Sequence, residues 1–110
     1  MAKIIEWTDD GYPTESSLRR LRKALKTNDI QKAKKFFYSA LRENHYDWCG
    51  PEKIEVRGEV IDVWGYHTAG WSGNEDIIRV LSESWLWRTF LERYDSGGHY
   101  YFKHPASEGI

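Results

Sequence analysis

The segment from His67 to Asp76 constrains the fold more than any other part of the chain. It follows a run of β-forming residues, turns at two glycines and continues into a helix-like apolar pattern. Ser72 and Glu75 have the spacing of a capping box, in which the serine caps a helix and the glutamate reaches back to it. The segment therefore predicts a strand-to-helix connection, and its glycines and polar groups are also typical of a binding loop.

Two amphipathic helices are predicted near the N-terminus. The first is placed near residues 15–26, where leucines recur at helical spacing, with Thr14 or Ser16 as its N-cap. The second is predicted to follow Asn28 as N-cap, with Gln31 as the capping-box partner. Because the connection is short, the two helices are expected to form an antiparallel hairpin. The apolar stripe of the second helix, which we expect to end near residue 44, is Ile30, Ala33, Phe37, Ala40 and Leu41.

Extended structure is predicted on both sides of a third helix. Residues 45–53 are expected to form a loop, and residues 54–67 form one strand or two, depending on whether Arg57 and Gly58 make a bulge or a hairpin turn. Residues 99–104 are predicted as the last strand. Its alternation places Tyr100 and Phe102 on one face and Tyr101 and Lys103 on the other.

The third helix is predicted over residues 73–93 and is apolar on more than one side. One small sheet covers only one of these sides. The second side therefore needs either the N-terminal hairpin or another chain, so a homodimer is one alternative. The chain has six Trp, seven Tyr and four Phe, and large rings of this kind fill cores and also dominate interfaces.

These patterns predict an α+β fold for residues 1–110 as a single domain. It consists of an N-terminal helical hairpin and a small, mostly antiparallel sheet packed on a C-terminal aromatic helix.

Charge is distributed unevenly along the chain. The net charge is only -1, but residues 15–42 contain nine basic and two acidic side chains, so the remainder carries an excess of negative charge. The basic block either matches that acidic remainder internally, forms a solvated face, or binds nucleic acid or an acidic partner. The candidate nucleic-acid-binding residues are Arg19, Arg20, Arg22, Lys23, Lys32, Lys34 and Lys35.

Catalytic and metal motifs are weak. Ser72 resembles a Gly-x-Ser-x-Gly nucleophile, but Gly73 comes one place too early and no triad with His67 can be assigned, so a hydrolase at residues 67–75 is a minor alternative. His45 and Cys49 are four residues apart, and a zinc site usually needs about four converging ligands. We therefore assign no catalytic residue, no metal and no cofactor.

The compartment is predicted from what the sequence lacks. Cys49 is the only cysteine, so no internal disulfide can form, which fits a reducing environment. No secretory apolar core and no run of about 18 apolar residues occurs, so a cytoplasmic protein without a membrane span is expected.

Two motifs carry a resemblance to a known group of proteins. Gly-Trp-Ser-Gly-Asn-Glu at residues 70–75 and Gly-Gly-His-Tyr at residues 97–100 occur in that order within residues 68–103. In this region the chain resembles a family of small, uncharacterised bacteriophage and prophage proteins, in which the position of Ala69 is often a second glycine. The resemblance covers about a third of the chain and omits the basic hairpin. The resemblance implies a phage-encoded protein that acts in the bacterial cytoplasm. It does not imply any particular activity, because the family has none established.

The predicted function follows from this origin by analogy. Small phage accessory proteins often bind a host protein and block host defence, as anti-CRISPR proteins do. We therefore expect a non-enzymatic protein that binds and modulates a bacterial host protein, with His67, Trp71, Asn74 and His99 as partner-binding residues. An acidic surface that imitates nucleic acid is another form of the same prediction. The alternative is a nucleic-acid-binding accessory protein that uses the basic hairpin.

Overall fold

A computed structural model describes residues 4–44 and 49–110. It has an α+β fold in which the helices pack on one face of a four-stranded antiparallel sheet with strand order β1-β2-β4-β3, so the predicted fold class is confirmed. The helices are α1 (Glu15–Leu25), α2 (Ile30–Leu41), α3 (Ser72–Ser82), α4 (Leu86–Phe90) and a 3₁₀ helix (Pro105–Glu108). The strands are β1 (Gly50–Val56), β2 (Glu59–His67), β3 (Leu91–Asp95) and β4 (His99–Lys103).

The helical hairpin forms as predicted, with two local corrections. Thr14 caps α1 by accepting a hydrogen bond from the backbone N–H of Ser17. The cap of α2 is Asp29, which accepts from the N–H of Lys32 at 3.2 Å, so Asn28 was the wrong residue. Ile30 is 53% exposed although it belongs to the predicted apolar stripe, because the first turn of α2 extends beyond the core.

Segment 54–67 belongs to two strands, and the turn between them is short. Arg57 and Gly58 both have positive φ, 53° and 82°, as a two-residue hairpin turn requires. This turn pairs β1 with β2 from Val56↔Glu59 back to Gly50↔Gly65. Strand β1 therefore begins inside the predicted loop 45–53, and residues 45–48 of that loop lie outside the described part of the chain.

The predicted third helix over residues 73–93 is wrong in its second half. Helix α3 ends at Ser82, α4 is one short helix, and Leu91 begins strand β3. The apolar residues occupied more than one helical stripe because they belong to three elements that point in different directions. Pairing of β3 with β4 supplies backbone hydrogen bonds that the helical pattern did not reveal.

The two faces of the sheet have different surroundings. Trp64, Tyr66 and Phe102 face the helices and join the main core, in which Phe37 and Phe90 are fully buried. The face opposite the helices carries a smaller apolar cluster of Ile54, Val63 and Tyr101, with Val56 and Ile61 beside it. The strand register places His67, His99 and Glu52 on this second face.

Tyr38 links the hairpin to the sheet through a hydroxyl that donates to the Lys103 carbonyl at 2.6 Å. Burial, with smaller contributions from the carboxylates of Glu108 and Glu92, raises the pKa of this hydroxyl above its ordinary value. The unfolded chain therefore releases the Tyr38 proton first as pH rises. We expect the free energy of unfolding to fall above about pH 10, and to fall less steeply in Tyr38→Phe. Urea unfolding between neutral pH and pH 11 measures both slopes, and equal slopes would contradict this assignment.

Candidate functional site

The turn between β2 and α3 is held by Thr68, which is fully buried. Its N–H donates to the carbonyl of Gly98, and its own carbonyl accepts from the backbone N–H of Trp71 and the side-chain amide of Asn74. Helix α3 begins at Ser72 with Trp71 as N-cap and without a side-chain cap hydrogen bond. The predicted capping box of Ser72 and Glu75 is therefore wrong, because Ser72 lies one residue inside the helix.

Trp71 and Asn74, two of the four predicted partner-binding residues, have structural contacts in this turn. The indole N–H of Trp71 donates to the Gly11 carbonyl at 2.6 Å, and its ring lies 5.2 Å from that of Tyr12. Trp71 thereby fastens the start of α3 to the segment before α1. Asn74 has no exposed surface, so it offers nothing for a partner to contact.

The minor hydrolase alternative required Ser72 and His67 to meet. The Ser72 hydroxyl instead donates to the hydroxyl of Tyr12 at 3.3 Å. Both ring nitrogens of His67 are engaged by other side chains, Glu52 and His99. No nucleophile–base pair is formed between these two residues.

His67 and His99, the other two predicted residues, lie together at one end of the sheet face opposite the helices. We call this face the open face. They are direct partners across β2 and β4, and their Nδ1 atoms are 2.9 Å apart. The Nε2 atom of His67 is 2.5 Å from a carboxylate oxygen of Glu52. The ring of Tyr101 packs edge-on against His67, with 5.7 Å between centroids. We call Glu52, His67 and His99 the histidine cluster.

Gly65 makes room for this cluster. A Cβ atom at Gly65 would lie 1.8 Å from the carboxylate oxygen of Glu52 and 3.0 Å from Nε2 of His67. The Glu52 side chain therefore lies across β2 directly over Gly65, and a side chain at position 65 would displace the Glu52 carboxylate. Glu52 and Gly65 were missed as site residues, because Glu52 fell in a predicted loop and no sequence motif links it to His67.

The open face is curled, and Arg93 spans it. Strands β3 and β1 are three strand spacings apart along the sheet, roughly 14 Å, which exceeds the reach of one side chain. Arg93 nevertheless donates from Nη1 to the Glu55 carbonyl at 3.1 Å, while its guanidinium lies 4.8 Å from the centroid of Tyr101. The curvature explains why Tyr101 and Val63 are buried although no helix of the described residues packs on this side.

The basic hairpin is mostly unmatched by the acidic remainder of the chain. Within residues 4–44 and 49–110, two of its side chains form ion pairs: Arg20 with Glu6 at 2.8 Å and Arg22 with Glu83 at 3.0 Å. Arg42 lies over the ring of Trp64. The internal match is thus limited, and an excess of positive charge faces outward. In the same described part of the chain, six basic side chains of the hairpin have no ion pair: Arg19, Lys23, Lys26, Lys32, Lys34 and Lys35.

A groove follows the side of the hairpin and has a volume of about 680 Å³. Its apolar part comes from Leu21, Ala24 and Phe36, with Ile4 beside them. Its charged rim comes from Arg20, Lys23 and Lys32. We call this feature the hairpin groove. It combines an apolar floor with cations at its edge, which is the pattern that an acidic amphipathic segment fits.

A second cavity of about 360 Å³ lies on the other side of α1, between the hairpin and the α3–α4 connection. Trp85 forms one wall and is 55% exposed, and Arg22 and Lys26 lie opposite in the same cavity. The sequence pattern placed Trp85 inside a long buried helix. Because α3 ends at Ser82, Trp85 lies outside that helix, and its ring lines the same cavity as the basic residues.

Comparisons of this chain with models of protein families, with curated proteins and with solved structures give no match. In the part of the chain that the structure describes, no helix is both long and apolar enough to cross a membrane. The relationship to phage proteins stays a prediction from the two sequence motifs.

Proposed function

We propose that the protein is a non-enzymatic, phage-encoded binding protein that modulates a bacterial host protein by holding an acidic amphipathic segment of it in the hairpin groove. The single observation that carries the proposal is a groove with an apolar floor that is lined by Lys23 and Lys32, two exposed basic side chains without ion pairs among the described residues. Inhibition of a host defence protein is the form of modulation that the phage resemblance favours.

The charge and shape of the groove support this partner chemistry. Lys23 and Lys32 come from different helices and both line the groove, so an acidic segment lying in the groove is attracted by both helices. Phe36 is half-buried and supplies apolar area that an amphipathic helix can cover. The lysines attract an acidic partner by charge, and Phe36 stabilises the complex by burial of apolar area. A basic face that is only solvated would have no such apolar area beside its cations.

Charge reversal at the rim tests the proposal. In Lys23→Glu/Lys32→Glu we expect at least about 100-fold weaker binding of the host partner, since placing like charges together costs several kcal/mol. The partner is first isolated from bacterial lysate with the wild-type protein, then purified and titrated by calorimetry. Wild-type binding is also expected to weaken as salt rises.

The matched control is Lys53→Glu/Arg88→Glu, which changes the net charge by the same amount away from the hairpin. Lys53 and Arg88 are exposed, and Lys53 forms only a surface ion pair with Asp62. This variant should bind the partner as the wild type does. Equal weakening in both variants would show a net-charge effect and overturn the groove as the binding site.

The second candidate function is nucleic-acid binding through the same basic block, and the position of Trp85 is the observation that favours it. An exposed indole beside Arg22 and Lys26 can stack on an unpaired base while the cations contact phosphates. This function predicts salt-dependent binding of single-stranded DNA or RNA that Trp85→Ala weakens by about 1–3 kcal/mol. Flat titrations at low salt with duplex and single-stranded DNA and RNA would exclude it.

A further inference from the structure

We propose that the histidine cluster is a binding site for a divalent transition-metal ion of the zinc type, held by the Nδ1 atoms of His67 and His99. This site lies on the open face of the sheet, and it does not depend on the function proposed for the hairpin groove.

The distance between the two nitrogens fits this role. The Nδ1 atoms are 2.9 Å apart, which means that one of them must carry a proton in the absence of a metal. When His99 has its ring proton on Nε2 instead, both Nδ1 lone pairs point into the same small space. Two imidazoles on a tetrahedral zinc ion, each about 2.0–2.1 Å from it, have nitrogens about 3.3 Å apart. The rings therefore need to separate by only about half an ångström.

Glu52 prepares His67 to be a ligand. Its carboxylate accepts a hydrogen bond from Nε2 of His67, which places the ring proton on Nε2 and leaves the Nδ1 lone pair for a metal. A carboxylate behind a metal-binding histidine also fixes the ring and raises its basicity. Gly65 leaves the space in which this carboxylate lies. We therefore assign Glu52 as a positioning residue and not as a ligand.

The site provides two protein ligands and leaves the other positions to water. Within residues 4–44 and 49–110, no group of three or more His, Cys, Asp or Glu side chains is arranged to hold a metal. Asp95 lies opposite His99 on β3, but its carboxylate is paired with Arg93 at 3.0 Å. The ion is therefore exposed on one side, and weaker binding than in a four-ligand structural site is expected.

The test is a titration of the purified chain with Zn²⁺ alone, in competition with a chromophoric chelator. We expect one equivalent per chain, with binding weakened about tenfold or more in His67→Gln and in His99→Gln. In Glu52→Gln, which keeps both ligands, the loss is also expected to be about tenfold. Gly65→Ala should weaken binding in the same direction, because the added Cβ displaces the Glu52 carboxylate.

Cys49→Ser and His104→Gln are the control variants. Each removes another candidate ligand, and His104 instead caps the 3₁₀ helix through Nδ1. Both should bind Zn²⁺ as the wild type does. Absence of one-equivalent binding, binding that survives His99→Gln, or loss of binding in Cys49→Ser would each overturn the proposal.

Imidazole proton resonances give a second readout of the same site. Addition of one equivalent of Zn²⁺ should shift the ring signals of two histidines, and both should be missing or altered in the corresponding glutamine variants. Shifts confined to other histidines would assign the ion elsewhere and contradict the site.

Discussion

Replacement of Phe37 by alanine is expected to lower the free energy of unfolding by about 3–5 kcal/mol. Phe37 is fully buried, and its ring contacts those of Tyr38, Phe90 and Phe102 with centroid distances of 5.8, 5.4 and 5.6 Å. These partners belong to the hairpin, α4 and β4. The truncation therefore opens a cavity where all three meet, and it removes a large share of the roughly 5–15 kcal/mol that stabilises a domain.

Phe36→Ala is the matched control for this prediction. Phe36 precedes Phe37 on α2 but is only half-buried and lines the hairpin groove. It should reduce stability less than Phe37→Ala and should weaken binding of the acidic partner. Denaturant unfolding followed by circular dichroism measures the first effect, and calorimetry measures the second. Equal destabilisation by the two substitutions would mean that the core does not lie where the structure places it.

Gly73→Ala is expected to destabilise the protein by about 1–3 kcal/mol, as overpacking does. A Cβ atom on Gly73 would lie 2.3 Å from the Gly11 carbonyl oxygen and 2.8 Å from Nε1 of Trp71. The first contact is with backbone, which cannot move aside as a side chain can. The substitution therefore separates the start of α3 from the segment before α1 and breaks the hydrogen bond from Trp71 to Gly11.

Gly50→Ala is the control, because a Cβ there would meet no atom of the described residues within 4 Å and its φ is not positive. It should leave the midpoint of unfolding almost unchanged. In Gly73→Ala, Trp71 should also become more exposed, which fluorescence quenching detects. If Gly73→Ala is as stable as Gly50→Ala, the close approach of Gly11 to α3 is not present in solution.

The Gly-Trp-Ser-Gly-Asn-Glu motif has a structural explanation after these contacts are considered. The missing side chain of Gly73 permits the close approach of Gly11, whose carbonyl accepts a hydrogen bond from the Trp71 indole. The buried side-chain amide of Asn74 donates to the carbonyl of Thr68. The motif was predicted to contain the partner-binding residues Trp71 and Asn74, but the side chains of both form hydrogen bonds that hold the turn in place. Of the four residues first selected, His67 and His99 remain as a candidate site because their polar atoms face one another on the open sheet.

Local sequence determined the elements whose signals lie close together in the chain. The leucine spacing of α1 predicted that helix, and neighbouring residues narrowed its cap to Thr14 or Ser16 and residues 57–58 to a bulge or a hairpin turn. The structure has the Thr14 cap and the hairpin turn. The alternation of Tyr100 and Phe102 against Tyr101 and Lys103 is likewise a property of one strand, and the sheet confirms it. The uneven charge of residues 15–42 was also visible without a fold.

Only the tertiary structure decided which of these residues meet. Residues 91–95 become a strand because β4, which follows after a short turn at residues 96–98, offers backbone partners, and this pairing outweighs their helical periodicity. Glu52 reaches His67 because strand register and the missing side chain of Gly65 bring them together across β1 and β2. Whether the basic side chains of the hairpin are paired or face solvent depends on which acidic side chains the fold places beside them. The local sequence does not give the distances between these basic and acidic groups.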